Sequence, residues 1–152
     1  MAMPIDPARR PSRLSLPAHF MVVLLLCLAF LSGLLVWWGQ TIQADALETP
    51  AWLRTCVVLH GGLNPFLCAL FGYLCCQHIR YGWQLRANLV TGLTMEFLFA
   101  GLILSGVGLY YAGSKEWREV MVAGHRAMGV LLPLGLGAHW WAGLHWAKKI
   151  SN

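Results

Sequence analysis

The chain has 152 residues, of which 58% are hydrophobic and only 11% charged, and its mean hydropathy is +0.59. This is too apolar for an ordinary soluble domain and places the chain among integral membrane proteins. The formal net charge of +5 reflects topology, and nucleic acid is not expected as a partner.

Four apolar stretches, at about residues 18–40, 52–78, 87–112 and 117–147, are each long enough for the roughly 20 helical residues that cross a hydrocarbon core. The expected fold is therefore an all-α integral membrane protein, a four-helix transmembrane bundle over 18–147. A cytoplasmic tail is expected at 1–17 and another at 148–152. The first stretch is longer than the apolar core of a signal peptide and reads as a true span.

Seven of the eleven basic residues fall on one side of this arrangement: Arg9, Arg10, Arg13, Arg80, Arg86, Lys148 and Lys149. By the positive-inside rule both termini are cytoplasmic. The opposite side carries Asp45 and Glu48 in one loop and Lys115, Glu116, Arg118 and Glu119 in the other, with Arg54 near the second span. Cys27, Cys56, Cys68, Cys75 and Cys76 all lie in the spans, without the C-x-x-C-H pattern of covalent haem attachment. They read as small buried hydrophobes.

His19 opens span 1, His60 and His78 lie in span 2, and His125, His139 and His145 lie in span 4. A polar ring at membrane depth is costly and calls for a reason. His125 and His139 are separated by fourteen positions. That step returns to within about 40° of the same helix face and sets the two roughly 21 Å apart along the axis, room for two stacked haems. A haem iron with two imidazole ligands takes its second histidine from another helix at the same depth. His60 lies about eight residues inside Trp52, and His125 about eight inside Trp117, so these two form the outer pair. For the inner pair, His139 lies roughly 33 Å below the outer edge of span 4 and His19 roughly 31 Å below Gln40, which nominates His19. His78, roughly 39 Å below Trp52, is the alternative. His145 points about 200° away from His125 and reads as an interfacial side chain.

Glycines repeat the same spacing. Gly33 follows His19 by fourteen positions, and Gly92 and Gly106 on span 3 are separated by the same step. A glycine leaves room for a flat macrocycle beside a helix, although small residues also serve helix packing.

On these residues the chain resembles the cytochrome b subunits of respiratory formate dehydrogenases and nickel-iron hydrogenases, four-span di-haem membrane anchors of the bacterial cytochrome b561-like kind. The resemblance runs over Arg13 and His19, Ser32-Gly33, His60, Ser105-Gly106, His125 and His139. It implies two haem b groups whose iron is held by His60 with His125 near the periplasm and by His19 with His139 near the cytoplasm. It further implies a multi-pass protein of the bacterial inner membrane that relays electrons between a quinone pool and a periplasmic redox enzyme or cytochrome subunit. The chain would then be an electron-transfer subunit of an oxidoreductase complex rather than a stand-alone catalyst.

In such subunits a quinone reacts near the cytoplasmic haem. Gln84 and Asn88, with Tyr81 and Arg86, form a polar cluster at that depth, and Glu96 is the only acid deep within a span; these are the quinone and proton candidates. Asn64-Pro65 interrupts span 2 one turn below His60. Arg126 follows His125 and is placed to pair with a haem propionate, as are Arg54, Lys115 and Arg118 outside and Arg13 and Arg80 inside. Two alternatives stand beside this reading: a stand-alone transmembrane reductase of the cytochrome b561 kind, and a haem-free anchor or small transporter.

Overall fold

The computed structural model describes residues 14–46, 49–86 and 88–151, with side chains described as far as residue 145. Arg9, Arg10, Arg13 and Glu48 lie outside the described residues, as do the side chains of Lys148 and Lys149.

Helix α1 runs over Leu16–Ala46. Ser15 starts it, its hydroxyl accepting the Ala18 amide at 3.4 Å. The second span is composite: α2 (Ala51–Gly62), α3 (Asn64–Leu74), a π-helical turn at Cys75–Ile79, and α4 (Arg80–Leu85). Its break at Leu63 coincides with Asn64-Pro65, and the proline occupies the first turn of α3, where its missing amide costs little. Arg86 and Asn88 both adopt left-handed φ, 49° and 51°, and reverse the chain into α5 (Leu89–Tyr111). Helix α6 spans Lys115–Ser151. Ser114 accepts the Trp117 amide at 3.2 Å and begins it, with Glu116 in the first turn complementing the helix dipole. Pro133 lies inside α6, between His125 and His139.

Among the described residues every regular element is helical. Four helical stretches are long and apolar enough to cross a membrane: Leu16–Ala46, Ala51–Leu85, Leu89–Tyr111 and Lys115–His145. They differ from the expected spans mainly at their ends. Helix α1 continues past Gln40 to Ala46, and the second span continues past His78 to Leu85.

Helix α5 packs along α6 and α1 along α2, while α3 bridges to α5 and α1. The main buried cluster lies in the middle, where Val22, Leu70, Leu98, Phe99 and Leu132 make one apolar layer drawn from all four spans, while Leu53 and Gly39 are buried where α1 meets α2. Phe71 packs edge-to-face on Phe99 at 5.3 Å. By contrast Val58, Phe97, Leu104 and Leu134 are largely exposed. Apolar surface of this extent suits a lipid solvent rather than water.

The layer sits at a defined level. Leu132 lies halfway between His125 and His139 along α6, and Leu98 lies halfway between Thr91 and Ser105 along α5. The core is thus a septum between two histidine-bearing levels.

Candidate functional site

At the level near the α1–α2 and α5–α6 connections, His60 of α2 and His125 of α6 face each other with ring centres 6.0 Å apart and planes crossed at 85°. At the other level, His78 of the π turn and His139 of α6 repeat this geometry, 6.0 Å and 85°. All four rings are half-buried.

The inner pairing differs from the expectation: His78, not His19, meets His139. His19 is exposed in the first turn of α1 and lies edge-on to Trp140 at 5.9 Å. Counting depth along straight helices misleads in two ways. Helix α1 extends to Ala46, so Gln40 is not its outer end and His19 lies roughly 40 Å from that end. The second span is broken at Leu63 and takes a wider π turn around His78. The longer sequence step from His60 to His78 therefore ends level with the shorter step from His125 to His139.

Three of the four rings are held the same way. His60 Nδ1 lies 2.9 Å from Ser32 Oγ of α1. His125 Nδ1 lies 2.8 Å from Ser105 Oγ of α5. His139 Nδ1 lies 3.0 Å from Thr91 Oγ1 of α5. Each hydroxyl also reaches a backbone carbonyl of the preceding turn: Ser32 that of Leu28 at 2.7 Å, Thr91 that of Asn88 at 3.2 Å, and Ser105 that of Leu102 at 3.2 Å. With each O–H donated to a carbonyl, the hydroxyl oxygen accepts from the ring, which assigns the proton to Nδ1 and leaves the Nε2 lone pair available.

A glycine follows each hydroxyl. A Cβ at Gly33 would lie 3.1 Å from His60 Cε1, at Gly106 3.6 Å from His125 Cε1, and at Gly92 3.9 Å from His139 Cε1. The hydroxyl of each step anchors a ring and the glycine lies against that ring's edge, closely enough at Gly33 that a side chain would crowd it. Ser32-Gly33 and Ser105-Gly106 stand out in the sequence. Thr91-Gly92, which sequence reasoning passes over, is a third copy of the same step and precedes Ser105-Gly106 by the spacing of the α6 histidines.

The geometry can be tested against an axially ligated iron. Metal–imidazole bonds are about 2 Å, and each ring centre sits a little over an ångström behind its Nε2. Two trans imidazoles on one metal thus have centres roughly 6 Å apart. Both pairs match. Among the described residues no group of three or more His, Cys, Asp or Glu side chains could hold a bare metal ion. Two imidazoles can hold a metal whose remaining ligands a macrocycle supplies.

The other candidates are distributed around these pairs. Arg126 donates to Gln40 Oε1 at 2.6 Å and lies over the Trp37 ring at 5.1 Å. With Lys115, Arg118 and Glu119 it lines an open groove of about 450 Å³ along the first turns of α6. Asn88 reaches the inner pair indirectly, since its carbonyl accepts from Thr91. Gln84 is exposed on α4. Glu96, half-buried on α5, has its Oε2 buried without a hydrogen-bond partner. His145 packs on Trp141 with ring centres 4.1 Å apart and planes tilted by 45°, and takes part in neither pair.

No protein-family model, curated protein or solved structure matches this chain.

Proposed function

We propose that the chain is the membrane-anchoring, di-haem cytochrome b subunit of an electron-transfer complex. The observation that carries this reading is the repetition of one geometry at two levels: crossed imidazoles at 6.0 Å, roughly 21 Å apart along α6. Haem, when bound, would supply a one-electron couple at each level.

The chain's own residues would do the rest. His60 with His125, and His78 with His139, would hold the two haem irons. Ser32, Ser105 and Thr91 hold the rings. Arg126 offers a guanidinium to an acidic edge group at the outer level. The septum of Leu70, Leu98, Phe99 and Leu132 excludes water between the levels and fixes their separation.

The distribution of basic residues favours cytoplasmic termini in a bacterial inner membrane. The His78–His139 level then faces the cytoplasm, and a quinone would exchange electrons there near Asn88 and Glu96. The outer level faces a periplasmic redox partner.

Reduced-minus-oxidised spectra of histidine variants test the assignment. His60→Ala and His125→Ala should remove one and the same haem, His78→Ala and His139→Ala the other, and His19→Ala neither. Loss of a haem in His19→Ala with both retained in His78→Ala would overturn the inner pairing.

A further inference from the structure

We infer that Ser32, Thr91 and Ser105 are positioning residues that fix the rotation and the electron-donating strength of the axial imidazoles. This rests on the di-haem reading and adds an electronic consequence to it.

A histidine ring bound to a metal through Nε2 and tethered to its helix through Cβ keeps some freedom to turn about the metal–nitrogen axis. A hydrogen bond at Nδ1 restricts that rotation further. At the outer level the two attachments come from different helices, Ser32 from α1 and Ser105 from α5, and they hold the ring planes at 85° to each other. At the inner level Thr91 of α5 holds His139, and the planes are again crossed at 85°. At Gly33 the absence of a side chain keeps the His60 ring edge from being pushed out of that orientation, since a Cβ there would lie 3.1 Å from its Cε1.

Two consequences follow for a low-spin ferric haem. Crossed axial planes leave two of the iron d orbitals close in energy, which gives a strongly axial electron paramagnetic resonance signal dominated by one large g value; parallel planes give a rhombic signal. In addition, an Nδ1–H donating to a hydroxyl oxygen makes the imidazole a stronger donor to the metal. That favours the ferric state and lowers the midpoint potential. Because the O–H groups point to the Leu28, Asn88 and Leu102 carbonyls, all three hydroxyls act on their histidines in this same direction.

The test uses the full chain purified in detergent with its haem. Thr91→Ala and Ser105→Ala remove one hydroxyl each, and Thr91→Ser keeps the hydroxyl while removing only a methyl group. The expected result is a decrease in the largest g value and a raised midpoint for one haem in each alanine variant, with Thr91→Ser like the wild type. Loss of one haem in Thr91→Ala that is restored in Thr91→Ser also supports the inference. Alanine variants that keep both haems with unchanged spectra and potentials overturn it while leaving the di-haem reading in place, as does a Thr91→Ser variant that behaves like Thr91→Ala. A wild-type chain without haem overturns both.

Discussion

Replacing Phe99 by alanine should destabilise the bundle by about 3 kcal/mol, the sum of a cavity and a lost aromatic contact. Phe99 is 6% exposed in the septum and packs edge-to-face on Phe71 at 5.3 Å. In lipid the transfer of apolar surface from water does not drive helix association, so packing decides the cost. Removing the ring leaves a void of roughly 100 Å³, which at about 24 cal/mol per Å³ amounts to about 2.4 kcal/mol. The lost aromatic pair adds about 0.5–1.5 kcal/mol. Phe97, two residues away, is 72% exposed on the outer surface, and its alanine variant should stay within about 0.5 kcal/mol of the parent. The comparison is made by reversible unfolding in mixed micelles with increasing SDS, followed by tryptophan fluorescence and circular dichroism. Equal effects of the two substitutions would refute the septum as the packing centre of the fold.

Three further substitutions probe packing and an unpartnered buried oxygen. A Cβ at Gly39 would fall 2.7 Å from Leu53 and 2.8 Å from Trp52, so Gly39→Ala should force α1 away from α2 and destabilise the fold by about 1–3 kcal/mol in the same unfolding assay. Gly137→Ala, with open space around it, provides the control and should be neutral or stabilising. Glu96→Leu removes the buried oxygen that has no partner and should stabilise the fold by about 1–3 kcal/mol, read as a higher melting temperature. A lower melting temperature would show that the carboxyl is part of the packing rather than a cost to it.

The four spans are legible in the sequence because length and hydropathy are bulk properties that survive errors of a few residues. The meeting of His60 and His125 is legible for a related reason: each lies at a similar step from an interfacial tryptophan, Trp52 or Trp117, over helix without interruption. His78 ranks second by depth because such a count treats every residue as one α-helical step, and nothing in Cys75-Cys76-Gln77-His78-Ile79 announces a π turn. His19 ranks first only while span 1 is taken to end at Gln40, whereas its helix runs on through Ala46. Thr91 escapes notice for a different reason. A threonine in a membrane helix can satisfy its hydroxyl on the preceding turn, as Thr94 does on Val90 at 2.9 Å, so residue type alone does not separate a ring anchor from an ordinary back-bonded side chain. Only its place before Gly92, in step with Ser105-Gly106, marks it out.

What the two histidine pairs hold is tested most directly by counting haem per chain. The full chain, produced in haem-replete cells and purified in mild detergent, is converted to its pyridine haemochrome and compared with protein concentration from amino-acid analysis. Two non-covalent b-type haems per chain are expected, one for each pair of crossed imidazoles at 6.0 Å. A chain that folds with its helical content intact and carries no haem, or carries only one, would contradict the di-haem assignment.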